Sequence, residues 1–86
     1  MKKFNTVKLG SSGTDVYILQ SLLRALQYVG TDGKPLDVDG KAGVNTIHAI
    51  NAFQERQRAY GYECGTAGDN DGKCGPKMWD RLLGVG

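Results

Sequence analysis

An all-α fold, a small three-helix bundle with two pseudo-repeated Asp-Gly turn–helix units, is predicted by two observations. The first is an internal repeat. Asp39-Gly40-Lys41-Ala42-Gly43-Val44-Asn45-Thr46 returns thirty-two residues later as Asp71-Gly72-Lys73-Cys74-Gly75-Pro76-Lys77-Met78, with the Asp, the Lys and both glycines kept. Each copy is followed by an apolar residue (Ile47, Trp79) and by another three positions on (Ile50, Leu82), which is helical spacing. The second is a run in which Ile18, Leu19, Leu22, Leu23, Leu26 and Val29 share one broad helical face. At 86 residues the chain is expected to make one domain over 1–86, with its core over about 7–83.

Residues 1–11 are polar except for a few positions; Val7 and Leu9 alternate around Lys8 and suggest an extended lead-in laid on the core. Ser12-Gly13-Thr14-Asp15 has the form of a capping box, with Ser12 as N-cap and Asp15 reaching back. The first helix is then expected from about Gly13 to Tyr28, with Gly30 closing it in the left-handed conformation. Its other face carries Tyr17, Ser21, Arg24 and Tyr28, which read better as half-exposed side chains along a helix than as a binding strip.

Leu36 and Val38 alternate with Asp37 and Asp39 in a brief extended segment that leads into the first repeated turn. In each turn Asp-Gly is turn chemistry, with the glycine free to take positive φ. The second glycine stands where a helix N-cap belongs, and Pro76 suits a first helical position because its missing N–H would have no partner there. The second helix is expected over Val44 to Tyr60, with Ile47, Ala49, Ile50, Phe53 and Gln57 on one side and His48, Asn51, Ala52 and Glu55 pointing away. Arg56 and Arg58 place positive charge near its C-terminal dipole. A third helix over 76–83 is too short to stand alone, so Met78, Trp79, Leu82 and Leu83 must dock it on the other two.

Composition narrows the function classes. A net charge of +2 with scattered basic residues gives no nucleic-acid surface. No apolar run approaches the roughly 20 residues of a membrane span. Met1-Lys2-Lys3-Phe4 leads into polar Asn5-Thr6, so no signal peptide is read here, and export would depend on a longer parent or on lysis. Cys64 and Cys74 flank nine residues, and a disulfide between them would contribute about 2–3 kcal/mol. A disulfide or two thiols are both compatible with this spacing. Zinc fits poorly, since His48 alone could add a further soft ligand. Neither Asp-Gly turn makes an EF-hand, because no glutamate falls at the last ligand position. No nucleophile, base and orienting group assemble into a catalytic set, and Asp37/Asp39 and Asp69/Asp71 read as turn formers and not as glycosidase carboxylates. His48, alone on a polar face, reads as a solvated surface histidine.

Several segments together resemble the peptidoglycan-binding domain, the three-helix module attached to many bacterial and phage cell-wall hydrolases. They are Leu9-Gly10-Ser11-Ser12-Gly13, Leu19-Gln20-Ser21-Leu22-Leu23, Leu26-Gln27-Tyr28, the first repeated turn, Ala49-Ile50-Asn51-Ala52-Phe53-Gln54, and the closing Asp71-to-Pro76 and Trp79-to-Leu82 stretches. The likeness covers about residues 7–83. Three departures stand out: Gln27 replaces a helix-ending glycine, Ala42 replaces an aromatic between the turn glycines, and the 61–71 loop is long and carries a cysteine.

The resemblance implies a non-catalytic module without cofactor or metal, acting at the cell wall outside the cytoplasm. Its ligand would be peptidoglycan and its partner a catalytic hydrolase domain. With so small a core and no large exposed apolar face, the chain is expected to be a monomer. Glycan and stem peptide offer hydroxyls, amides and carboxylates, which suits a groove around the first turn. Asp39, Asn45 and Thr46 are the candidate ligand contacts, with Tyr28 and Tyr60 as walls. The plainer reading of Asp39 and Asp71 is that each side chain braces its own turn. An alternative role is that of a protein-interaction or inhibitory module. The same fold occurs in prosegments of matrix metalloproteinases, where a cysteine caps the catalytic zinc, and Lys73-Cys74-Gly75-Pro76 has a superficial likeness to that segment.

Overall fold

The computed structural model describes residues 4–62 and 72–84. Three helices follow one another: α1 (Thr14–Ala25), α2 (Val44–Ala59) and α3 (Pro76–Leu83). The described residues contain isolated antiparallel bridges, Val7 to Cys74, Ser12 to Lys41 and Val29 to Pro35, but no strand.

The repeat is structural as well as sequential. Gly40 and Gly72 take positive φ of 76° and 67°, where a side chain would be strained. Gly43 and Gly75 are the N-caps of α2 and α3, with nearly equal φ and ψ of −91°, −171° and −93°, −169°. Each N-cap residue is a glycine and so has no side chain to cap with; Pro76 takes the first helical position of α3. A strap from the N-terminal segment ties the two turns together. Val7 exchanges both backbone hydrogen bonds with Cys74, while Gly10 donates to Ala42 and Ala42 donates to Ser11. Ala42 and Cys74 hold equivalent places in the repeat, and both are buried. Val7, in the strap, is buried against the core, whereas Leu9, its expected companion, is exposed.

The start of α1 departs from the capping box. Gly13 is the N-cap, at φ 115°, and no side chain caps the helix. Asp15 instead accepts the Asn5 N–H at 2.8 Å, fastening the strap to α1. The same strap carries Phe4 onto Trp79, with stacked rings 4.4 Å apart, and the Trp79 indole N–H donates to the Asn5 carbonyl. Trp79 is therefore a core anchor, as expected of a short docked helix.

α1 also ends earlier than expected. Tyr28 N–H reaches the Leu23 carbonyl and Gln27 N–H reaches the Arg24 carbonyl, which is the Schellman pattern. The left-handed residue is Gln27, at φ 69°, and not Gly30. Leu26, beside this stop, is 53% exposed and leaves the apolar face expected of it. α2 closes by the same pattern with Gly61 in the equivalent place, so the non-glycine residue is the exception. Gln27→Gly is expected to stabilise the fold by about 1 kcal/mol, because glycine takes this conformation without the Cβ penalty. Urea unfolding reads this directly, and no gain would mean that Gln27 contacts offset its strain.

The core joins Val16, Leu19 and Leu23 of α1, Leu36, Ala49, Ile50 and Phe53 of α2 and its approach, and Met78 and Trp79 of α3. Two polar residues, Gln20 and Gln54, are buried with them, each 1% exposed.

Candidate functional site

The first turn is held from behind by Gln20. Its side-chain amide N–H groups are shared among Asp39 Oδ1 (3.0 Å), the Lys41 carbonyl (2.9 Å) and Thr46 Oγ1 (3.0 Å). Its carbonyl oxygen accepts the N–H groups of Asp39 (3.0 Å) and Gly40 (2.8 Å). A single side chain thus satisfies both edges of the Asp-Gly bend. Asp39 Oδ1 also accepts the Lys41 N–H at 3.0 Å, so the carboxylate braces its own turn. The Lys41 N–H and then the Gln20 amide hold its carboxyl below the usual carboxylate range. Gln54 repeats the arrangement one helix later by donating to the Lys73 carbonyl at 2.7 Å.

This bracing places the expected site residues. Asp39, Asn45 and Thr46 all border one shallow recess of about 210 Å³. Thr46, however, is only 3% exposed, and its hydroxyl faces Gln20. Asn45 is exposed at the start of α2, where its carbonyl oxygen accepts the Thr31 N–H (3.0 Å) and hydroxyl (2.7 Å).

Tyr60 is the C-cap of α2, and Tyr28, just beyond the end of α1, stands beside that helix. The segment 28–31 runs beside α2: Tyr28 meets Phe53 edge-on at 5.7 Å, Val29 offers its carbonyl to His48 Nδ1 at 3.2 Å, and Gly30 and Thr31 lie against Asn45. The bond to Val29 places a proton on Nδ1 of His48. Asn45, His48, Arg56 and Tyr60 consequently form one stripe of α2, at helical spacing. From Asn45 to Tyr60 this stripe extends about 22 Å at the helical rise.

Arg56, which sequence reasoning assigned to the helix dipole, sits between the two tyrosines. Its Nε donates to the Tyr60 hydroxyl in a long bond of 3.4 Å, and the Tyr28 hydroxyl is its other neighbour. The bond to Tyr60 favours the charged guanidinium; at Tyr28, burial pushes the phenol up, against the opposing pull of Arg56. Tyr60 is 62% exposed, so its ring is open to a ligand, while Tyr28 is half-buried. Tyr28 also borders a second recess, of about 190 Å³, with Arg24 and Pro35.

The second repeated turn is only partly described. Asp71 and Cys64 lie outside the described residues, as does any disulfide between Cys64 and Cys74. Cys74 itself is fully buried, so it does not present a thiol to the metal of another protein. Among the described residues no group of three or more His, Cys, Asp or Glu side chains is placed to hold a metal ion. No helix among them is long and apolar enough to cross a membrane.

The family described as peptidoglycan binding domain matches residues 12–82. The chain belongs to that family. Two solved structures are similar to this peptidoglycan-binding domain. The SleB N-terminal domain is 27% identical with a TM-score of 0.73, covering 99% of this chain and 97% of that one. A Burkholderia AP3 phage endolysin is 36% identical with a TM-score of 0.64, covering 91% of this chain. The domain spans 24% of the endolysin chain, about a quarter of its length. No curated protein matches the domain. The family match begins at Ser12, so the Phe4–Trp79 stack and the Val7–Cys74 bridge come from a strap that starts ahead of it.

Proposed function

We propose that this domain retains a cell-wall hydrolase on peptidoglycan and performs no chemistry itself. The family match over residues 12–82 carries the reading, and the likeness to an endolysin supports the hydrolase association. The gain is in effective concentration: a weak module on a tether keeps its enzyme beside an insoluble substrate without any new contact at the catalytic centre. The stripe of α2 with Tyr28 beside it is the surface we assign to the ligand. Asn45 stands at one end and Tyr60 at the other, which suits an extended polymer of sugar rings and peptide. Asp39 and Thr46 support this surface from behind, because Gln20 engages both.

Incubation of the purified chain with insoluble cell walls tests the reading. The protein is expected in the pellet after centrifugation, with no fall in the turbidity of the suspension. Protein left in the supernatant with walls of several chemotypes would overturn peptidoglycan binding. Clearing of the suspension would overturn the non-catalytic assignment.

A further inference from the structure

Arg56 carries a charge that no acidic group among the described residues neutralises. Among the described residues its hydrogen-bonding neighbours are two phenols, Tyr60 and Tyr28, and no carboxylate stands within reach. Arg56 does not hydrogen-bond the last carbonyls of α2. Those carbonyls are already engaged: Gln57 accepts the N–H groups of Tyr60 and Tyr62, and Arg58 accepts that of Gly61. The guanidinium has five N–H donors, so its contacts with the phenols leave donors for a ligand. Its planar fork matches a carboxylate.

We infer that Arg56, between the hydroxyls of Tyr28 and Tyr60, receives a stem-peptide carboxylate of peptidoglycan while the exposed Tyr60 ring lies against the adjoining sugar or peptide. This rests on the peptidoglycan-binding reading and names the ligand group that the α2 stripe recognises. Neutral hydroxyls and amides of the glycan would leave the cation unpaired on binding. An anionic group replaces its water with a charge-assisted bond.

The test uses the full chain and insoluble walls stripped of phosphate polymers, compared with the same walls after chemical amidation of their carboxyls. Wild type is expected to bind native walls about tenfold more tightly than amidated ones, the scale of one charge-assisted hydrogen bond. Arg56→Gln should lose about that factor on native walls and nothing on amidated ones. Lys8→Gln, which removes the same charge from the strap, should bind as wild type does. Equal binding of wild type to both kinds of wall would overturn the inference, even if Arg56→Gln failed to fold. Arg56→Gln binding as wild type does, or Lys8→Gln losing as much, would overturn it too. If unstripped walls alone hold the wild type, the anion is phosphate and the stem-peptide assignment falls. Wild type that ignores every wall removes the peptidoglycan reading itself, an outcome distinct from the others.

Discussion

Gln20→Leu is expected to destabilise the fold by about 3–4 kcal/mol, although leucine is close to glutamine in size and suits a buried helical position. The loss comes from the partners left behind. Removal of the side-chain amide strands the Thr46 hydroxyl on one side and the Asp39 and Gly40 N–H groups on the other, while the Lys41 carbonyl keeps only the Gly43 N–H. Each buried polar group left without a partner costs about 1–3 kcal/mol, and water near the exposed Asp39 recovers part of the sum. In a domain of this size a loss of this order lowers Tm by roughly 15–25 °C. Urea and thermal unfolding check the value. A loss below about 1 kcal/mol would show that water replaces the amide at the turn, and Gln20 would then be incidental to it.

That expectation concerns a residue the helical pattern hides. Between Leu19 and Leu22, Gln20 reads as a polar position at the edge of an apolar face, and Gln54 after Phe53 reads the same way. Periodicity sorts residues by polarity, and so it sends both to the surface. The signal that could have found them is the repeat extended backwards, since each Asp-Gly-Lys turn is preceded by a helical Gln that donates to the carbonyl of its Lys. The turns and helix starts were legible because their causes are local: glycine at positive φ, glycine as N-cap, proline at the first helical position. The end of α1 was not, because left-handed Gln27 has no compositional mark and Gly30 attracted the assignment. On the surface proposed for the ligand, Tyr28, Asn45 and Tyr60 lie along or beside α2. The role proposed for Arg56 has no mark in the sequence because what singles the residue out is tertiary: segment 28–31 must first lie along α2 before Tyr28 can face it.

Gly30→Ala is expected to cost about 2–3 kcal/mol, through overpacking and broken hydrogen bonds and not through backbone strain. A Cβ on residue 30 would sit 2.7 Å from Asn45 Cγ and 2.8 Å from its Cβ, well inside the 3.5–4.0 Å at which carbon atoms rest. Either Asn45 turns away and releases the Thr31 N–H and hydroxyl, or segment 28–31 lifts from α2 and carries Tyr28 away from Phe53 and Arg56. Asn45→Gly separates these contributions, since it removes all three Asn45 atoms of the clash, Cβ, Cγ and Oδ1, together with the hydrogen bonds. If the cause is steric, alanine at residue 30 should be nearly harmless once Asn45 is glycine, and the double variant should be at least about 1 kcal/mol more stable than additivity predicts. Additive losses would place the effect of Gly30→Ala elsewhere in the 30–34 turn, where residue 30 also donates to Lys34 and accepts from Gly33. Wall binding gives a second reading of the same contact. Lifting the segment should weaken binding in Gly30→Ala even where the protein remains folded, because the Tyr28 side of the α2 stripe is then displaced. Unchanged affinity in a folded Gly30→Ala whose segment 28–31 has lifted would remove that segment from the proposed binding surface.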